Sequence, residues 1–434
     1  MADNAELTDV RPGPYANPLY RWYALAVMIL VYSCHAMDRG LPGVLMEPIR
    51  EEFKLSDSQL GLISSSSYGI AFALAVIPMG MLSDRLNRRR FLAAILVGWS
   101  LCTALGGFAR NVYHLALVRV GVGVFESGAA PVAMPLVSDM FPARSRTFAL
   151  GVFYMSANLG TFLAGSVGGY VAAEYGWRPA FLLVGAPGVL IAVLFLLTVR
   201  EPVRGGDDAP ADADDGPAPP LKAVLAFLAR TPGLICLIFG SALVALISIS
   251  MGTWMGSFFI RVHGLDLKQV GLILGVGGGL CGVLSPPISG WLADRLSARD
   301  PRWTLRIVWL SLLGAFAAGM TMLFAPLVTV AIAAYVAADF LRSAYAPLTY
   351  SVIITQTPVR MRGTVMSIVQ MLSVLIGFGL GPVVTGFLSD LHGGGTAIRL
   401  ALRDAQLLFL VIIVLYIAAT ALIYGRARRV EAAT

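Results

Sequence analysis

The chain has 434 residues, of which 57 % are hydrophobic and only 13 % are charged, and its mean hydropathy is +0.77. In a soluble globular domain roughly a quarter of the residues are charged. This composition therefore excludes a soluble globular protein. The net charge of +7 would suit a nucleic-acid-binding protein, but the basic residues lie in short loops between apolar segments. We therefore expect no nucleic-acid partner and interpret the charge as a topology signal.

Twelve apolar segments follow one another, and each is long enough to cross a hydrocarbon core of ~30 Å as a helix. Helices are expected because backbone polar groups in lipid must be satisfied within the segment. The alternating pattern of a membrane barrel is absent from the sequence. We predict an all-α membrane protein whose twelve transmembrane helices form two pseudo-symmetric six-helix bundles, with spans near 22–45, 60–83, 91–109, 112–138, 147–172, 179–199, 233–261, 268–292, 304–325, 327–355, 363–388 and 406–424.

A polar stretch rich in aspartate, glycine and proline separates the sixth span from the seventh. This composition cannot form a packed core and is typical of a disordered linker. Its last part, Leu221–Arg230, is either a short helix on the membrane surface or a plain loop. The predicted divisions are a cytoplasmic tail at 1–19, a bundle at 20–200, the linker at 201–232, a second bundle at 233–425 and a tail at 426–434.

The distribution of basic residues predicts the orientation in the membrane. The linker and the loops after even-numbered spans hold sixteen arginine and lysine residues, whereas the opposite loops hold eight. By the positive-inside rule the richer side is cytoplasmic, so both termini are expected there. The first 19 residues are polar rather than a cleavable signal, and span 1 is predicted to be retained. We expect a monomeric, multi-pass protein of the bacterial inner membrane, in contact with membrane lipids.

The loop after span 1 has two interpretations. Glu47–Ser58 is an acidic, amphipathic stretch on the predicted outer face. It would either cap the entrance between the bundles or form an ordinary exposed turn. The sequence alone favours the exposed turn.

A short polar phrase occurs twice in this apolar sequence. Gly80–Leu86 reads GMLSDRL, and Gly290–Leu296, 210 residues later, reads GWLADRL. Two copies of a membrane bundle in the same orientation are the architecture of a secondary transporter. The carboxylate of each phrase lies where it can bind nearby basic residues or the N-terminus of a neighbouring helix, and so hold the cytoplasmic side shut. The predicted gating residues are Gly80, Asp84, Arg85, Gly290, Asp294 and Arg295.

Ionisable residues inside the apolar spans are the candidates for chemistry, because one at mid-bilayer costs about 2.5–3.5 kcal/mol. Arg119 and Glu126 are seven residues apart, nearly two helical turns, so their side chains leave one face about 10 Å apart. Asp339 and Arg342 share a face of span 10, and Arg342 repeats the position of Glu126 after 216 residues. Span 1 adds His35, Asp38 and Arg39.

These charges have two interpretations. They are either neutral pairs that hold helices together or the lining of a wet cavity in which Asp38 and Glu126 take up protons. Burial favours a protonated carboxyl group and a nearby guanidinium favours an ionised one, so a moving helix would switch proton affinity. An anionic or zwitterionic substrate at the arginines would free a carboxylate for protonation. The predicted substrate-binding residues are His35, Arg39, Arg119, Tyr154, Asn158, Arg342 and Gln370.

The sequence lacks the residue patterns that an enzyme or a metal site would require. An enzyme needs a nucleophile–base or metal constellation, and four scattered histidines provide neither. The four cysteines lie inside spans without metal-type spacing and are interpreted as packing residues. We therefore expect no enzymatic activity, no metal and no cofactor other than a proton gradient.

Several stretches resemble a known family. The two repeated phrases with their trailing arginines are similar to the cytoplasmic loop signature of the major facilitator superfamily, and this resemblance covers about 20–425. Three stretches resemble its spinster family: Met37–Arg39 followed by Glu47–Ile49, Arg119–Glu126, and the segment from His263 to Trp303 that ends in Asp-Pro-Arg-Trp.

The spinster resemblance implies proton-linked movement of amphipathic lipids, such as lysophospholipids or sphingoid phosphates. It places Asp38 and Glu126 at the titrating positions and Arg119 as their partner. The Asp-Arg pair and the Arg-x6-Glu spacing also resemble anion:cation symporters for sugar acids and carboxylates. The pair formed by Asp339 and Arg342 is not part of the spinster pattern and favours a small organic anion, so both substrate classes stay open.

Overall fold

The computed structural model describes residues 14–203 and 220–431, so parts of the predicted tails and of the linker lie outside these ranges. Within them the chain is helical and contains no strand. Two π-helical stretches, Leu62–Ser66 and Ala164–Gly168, connect α2 to α3 and α7 to α8. The helices are α1 (Pro18–Phe53), α2 (Asp57–Gly61), α3 (Ser67–Arg85), α4 (Arg88–Gly106), α5 (Val112–Glu126), α6 (Ala129–Met140), α7 (Ala143–Leu163), α8 (Gly169–Tyr175), α9 (Trp177–Thr198), α10 (Leu221–Arg230), α11 (Pro232–His263), α12 (Leu267–Ser297), α13 (Trp303–Phe324), α14 (Val328–Ser343), α15 (Tyr345–Gln356), α16 (Arg362–Leu391) and α17 (Ile398–Glu431).

In the described ranges these helices form twelve spans that are long and apolar enough to cross a membrane, which confirms the predicted fold class. Four spans consist of two helices each: α2 with α3, α5 with α6, α7 with α8, and α14 with α15. The segment that the sequence left open between helix and loop is the helix α10. It buries Val224 and Leu228 and packs on α11 and α16.

Spans 4 and 10 are interrupted at matching places in the two halves. α5 ends at Glu126, and α14 ends at Ser343, one residue after Arg342. Pro131 and Pro347 follow five residues after these charged residues. Because proline has no N–H and its ring crowds the carbonyl four residues earlier, it breaks the helix just upstream of itself. The two prolines therefore explain why each span is interrupted directly after its charged residue.

The two bundles join at one end and separate at the other. We call the end where α1 begins and α3 meets α4 the tail end, and the end where α1 meets α2 the far end. One buried core runs from the far-end parts of α1 and α9 into the second bundle. The tail-end part of the first bundle has a separate core around Met28, Trp99 and Phe153. The second bundle thus contributes many residues to the far-end core, but Val374 of α16 is its one buried residue in the described tail-end core.

Glycine permits the close contact at the far end. A Cβ added to Gly43 of α1 would lie 2.4 Å from the carbonyl oxygen of Gly252 in α11, so a larger residue would push the two helices apart. At the tail end, a Cβ on Gly80 or Gly290, the first residues of the repeated phrases, would meet nothing within 4 Å. The space between the bundles is therefore closed at the far end and open toward the tail end.

Candidate functional site

A cavity of about 410 Å³ lies between the two bundles. Residues of α1, α7, α11, α12 and α14 line it, and glycines form much of the wall. Its charged side chains are Arg39 from the first bundle and Asp339 and Arg342 from the second. Both halves of the molecule therefore contribute a guanidinium to one chamber.

A hydrogen-bonded cluster around Tyr68 lies next to this chamber. Arg39 Nε donates to the Tyr68 hydroxyl at 2.7 Å, and that hydroxyl donates to Glu126 Oε2 at 2.7 Å. The same Oε2 lies 3.4 Å from Arg39 Nε and 3.5 Å from His35 Nε2. Arg39 and His35 line the cavity, whereas Glu126 has no exposed surface. The carboxylate is therefore one layer behind the wall, in contact with residues that form it.

Asp38 occupies a second buried position, on the side of α1 that faces Thr103 of α4. It is 2 % exposed, and its Oδ2 accepts a hydrogen bond from Thr103. Arg119 donates from Nε to the carbonyl oxygen of Ser64 at 3.0 Å, and its guanidinium lies 5.0 Å from the centre of the Tyr68 ring. Within the described chain, the ion-pair partner of Glu126 is Arg39 rather than Arg119. The physical reason is the seven-residue spacing, which puts Arg119 two turns nearer the far end.

Both buried carboxylates have an oxygen that is not used. Asp38 Oδ1 and Glu126 Oε1 are shielded from solvent and have no hydrogen-bond partner in the described structure. An ionised carboxylate accepts several hydrogen bonds, and leaving it unsatisfied away from water is costly. These two oxygens are therefore positions where a proton would be stabilising.

The second bundle presents its own charged pair. Arg342 donates to the carboxylate of Asp339, one turn earlier in α14. The side chains are 19 % and 9 % exposed, respectively, and both line the cavity. Since a guanidinium has five N–H donors, Arg342 retains donors for a ligand while it neutralises Asp339.

The remaining predicted substrate-binding residues divide into two groups. Asn158 of α7 lines the cavity together with His35 and Arg39. Tyr154 and Gln370 are exposed and are not part of the cavity wall. Tyr154 lies one turn nearer the tail end than Asn158, where its hydroxyl donates to Met134 Sδ at 3.3 Å.

The predicted gating residues lie at the open tail end. Arg85, Asp294 and Arg295 are exposed, and the Arg295 guanidinium lies 5.7 Å from the Trp291 ring of its own helix. The side chain of Asp84 lies outside the described part of the chain. Gly80 and Gly290 face open space.

An ion cluster that the sequence did not predict joins the bundles at the far end. Arg261 of α11 donates to Glu47 Oε1 at 2.8 Å and to both oxygens of Asp57 at 2.8 and 2.9 Å. Arg50 Nε lies 3.3 Å from Asp57 Oδ1. Glu47 and Asp57 are 5 % and 1 % exposed, so the expectation of an ordinary exposed turn is wrong. The segment caps the chamber because its carboxylates bind an arginine of the opposite bundle.

The C-terminal end of α16 completes this closure. Asp390 accepts hydrogen bonds from the backbone N–H groups of Asp57 and Ser58 at 3.0 and 2.9 Å, at the start of α2. Ser389 donates to Asp57 Oδ2 at 2.6 Å. A carboxylate is stabilised at a helix N-terminus by exposed N–H donors, so Asp390 of the second bundle caps a helix of the first.

Comparisons with known proteins agree with this geometry. The family profile described as Major Facilitator Superfamily matches residues 28–306. The chain is 35 % identical over 292 residues to an MFS-type efflux pump of Mycolicibacterium smegmatis, which covers 67 % of each chain. It is 29 % identical over 322 residues to a probable sulfoacetate transporter, SauU, of Cupriavidus necator, covering 71 % of this chain and 72 % of the relative.

A solved structure gives the same result for the fold. It is a bacterial homologue of the human lysosomal transporter Spinster in an inward-facing and unoccupied conformation. The two chains superpose with a TM-score of 0.80 at 26 % identity, covering 95 % of this chain and 98 % of the other. The chain therefore belongs to the major facilitator superfamily, in which it is a spinster-like membrane transporter and not an enzyme.

Proposed function

We propose that this transporter is a proton-coupled carrier that moves an amphipathic anionic or zwitterionic substrate by alternating access. The observation that carries the proposal is the position of Asp38 and Glu126. Each is buried, each has a carboxylate oxygen without a partner, and Glu126 contacts Arg39 and His35 in the chamber wall. Because these proton sites are close to the substrate site but shielded from it, binding of a proton and binding of the substrate can affect each other.

Arg39 provides the physical link between substrate and proton. Its Nε lies 3.4 Å from Glu126 Oε2, where it neutralises the carboxylate, and donates a hydrogen bond to the Tyr68 hydroxyl. An anionic group in the chamber attracts the same guanidinium and weakens that pair. An ionised carboxylate without its counter-charge is costly in a dry site, so Glu126 then takes up a proton. Substrate and proton therefore bind together.

The shape of the chamber supports an amphipathic substrate. Apolar residues such as Ile249, Leu274 and Phe378 line it beside the two arginines. A cavity of about 410 Å³ accommodates a lipid head group better than a whole lysolipid, so the acyl chain would extend through the open tail end. Together with the spinster resemblance, this favours a lysolipid or a related lipid whose phosphate lies between Arg39 and Arg342.

A small organic anion is the second candidate substrate. The pair of Arg342 and Asp339 favours it, because a guanidinium held in a fixed orientation binds a planar carboxylate through two parallel hydrogen bonds. The relative named as a probable sulfoacetate transporter supports the same class. Such a substrate would fill the chamber without an acyl chain.

We further propose that the tail end faces the cytoplasm of a bacterial cell and that the protein acts as a monomer in the inner membrane. The excess of basic residues on the tail-end loops supports this orientation. In this proposed orientation, the chamber opens toward the cytoplasm. No cofactor other than the proton gradient is required.

Flux into liposomes with and without a pH gradient tests the coupling. Asp38→Asn and Glu126→Gln should retain substrate binding but lose acceleration by the gradient. Glu51→Gln, which alters an exposed carboxylate at the far end, is the matched control and should transport like the parent protein. Unchanged flux and unchanged pH dependence in both buried variants would refute proton coupling through these groups.

A thermal-shift screen of lysolipids against organic acids distinguishes the two substrate classes. Arg342→Ala should abolish stabilisation by organic acids if the small-anion alternative is correct. If lysolipids stabilise the parent protein and organic acids do not, the lipid proposal is supported. The reverse ranking contradicts it.

A further inference from the structure

A second cavity lies outside the transport chamber, at the tail end between α13 and α17. Its volume is about 330 Å³. Arg302, Arg306 and Trp309 form one wall, and Thr420 and Gly425 belong to the other. Arg302 is part of the Asp-Pro-Arg-Trp stretch, for which the chamber provides no role.

The cavity carries excess positive charge. Asp300 lies 3.1 Å from Arg306 Nη1 and 4.0 Å from Arg302 Nε, so one carboxylate serves two guanidiniums. Arg302 Nη2 also donates to the backbone carbonyl of Tyr424 at 3.4 Å, a long contact that adds no negative charge. Both arginines are partly exposed. They therefore have N–H donors available for an anion.

The deeper part of the cavity changes from charged to apolar. The indole N–H of Trp309 is shielded and has no acceptor within the described structure. Beyond it toward the membrane centre, Leu313, Val414 and Ile417 are 44 %, 64 % and 46 % exposed on the outer surface of α13 and α17. Exposed aliphatic side chains inside a transmembrane span face lipid chains. From the tail end toward the membrane centre, the side chains are guanidinium groups, then an indole, then aliphatic groups. This order matches the head group, the interface and the acyl chains of a lipid monolayer.

We propose that this cavity is a binding site for an anionic phospholipid of the leaflet at the tail end. The phosphate lies between Arg302 and Arg306, which suit phosphate because the guanidinium donates two parallel hydrogen bonds. The indole ring of Trp309 lies at the level of the glycerol region, and the acyl chains cover the aliphatic surface below. Basic cavities between transmembrane helices bind acidic head groups in this way. This lipid site is separate from the chamber that binds the transported substrate.

Native mass spectrometry of the full-length transporter, titrated with phosphatidylglycerol or phosphatidylcholine, tests the proposal. Phosphatidylglycerol should bind more tightly. The double variant Arg302→Gln, Arg306→Gln should weaken its binding about 25-fold, since each arginine near a membrane surface contributes about fivefold, and should leave phosphatidylcholine unchanged. Arg299→Gln, an exposed arginine in the same loop that does not line the cavity, is the matched control and should stay within about twofold.

A second double variant keeps the proposal testable if the glutamine substitutions impair folding. Arg302→Lys, Arg306→Lys keeps the charge and should retain most of the preference for phosphatidylglycerol. Equal binding of the two lipids, or an equal loss in Arg299→Gln, would overturn the proposal. Displacement of the lipid by inorganic phosphate would overturn it as well, because it would identify a site for a soluble anion.

Discussion

Replacing Arg261 by glutamine should release the closed far end of the transporter. Arg261 is 7 % exposed and is hydrogen-bonded to both Glu47 and Asp57. Removing one partner from a buried ion pair costs about 3–5 kcal/mol, because the remaining charge is left buried. Arg50 stays within 3.3 Å of Asp57 and compensates in part, so we expect a penalty near the lower limit, about 3 kcal/mol.

This penalty applies to one conformation only. When the far end opens, water solvates the two carboxylates, and the loss of Arg261 costs little there. The equilibrium should therefore shift toward the far-open state by about 100-fold. Pulsed electron-electron spin resonance between labels on Glu51→Cys and Thr396→Cys, exposed positions in opposite bundles, would measure the change as a longer far-end distance. The four native free cysteines must first be replaced.

Arg178→Gln is the matched control. Arg178 is 38 % exposed at the same end and pairs at 2.6 Å with Glu52, a residue of its own bundle. Its loss affects neither closure nor opening between the bundles, so the distance distribution should not change. The reasoning is refuted if Arg261→Gln gives the parent distribution, or if Arg178→Gln shifts it equally.

Three further variants test the chamber and the packing. Tyr68→Phe removes the hydroxyl between Arg39 and Glu126, and proton-driven uptake should fall by about tenfold or more, since a hydrogen bond to a charged group contributes about 1.5–3 kcal/mol. An unchanged rate would exclude a role for the hydroxyl. Thr103→Val removes the hydrogen-bond donor to Asp38 and should alter the pH profile of uptake. Substrate binding at low pH, where the carboxyl group is protonated, should not change. An unaltered pH profile contradicts this. Gly43→Ala should lengthen the far-end distance, because its Cβ would lie 2.4 Å from a carbonyl oxygen, whereas a Cβ on Gly363, at the tail-end start of α16, meets nothing within 4 Å and Gly363→Ala should have no effect.

The fold could be predicted because each span must satisfy its own backbone in lipid. Length and hydropathy alone therefore located the twelve spans, and the repeated phrases paired the halves. Residues such as Asp38, Arg119 and Glu126 were identified for a related reason. A charge inside an apolar segment is conspicuous in any sequence, and the structure buries all three.

Other parts of the site carry no such signal. Tyr68 and Thr103 are neutral residues of common types, so nothing in the sequence distinguishes a hydroxyl that contacts a buried carboxylate from one that contacts its own helix. Arg261 and Asp57 lie at span ends, where charges are ordinary. Only the packing of one bundle against the other brings them together, and contacts between residues 204 positions apart cannot be derived from periodicity.

The interruptions in spans 4 and 10 have a mechanical consequence. Glu126 is the last residue of α5 and Arg342 the second-last residue of α14, and α6 and α15 begin after the interruptions. We expect each interruption to act as a hinge, so that α6 and α15 can bend while the charged residues keep their partners. A hinge at the same place in both bundles would allow the tail end to open and close while the contacts of Glu126 and Arg342 stay unchanged.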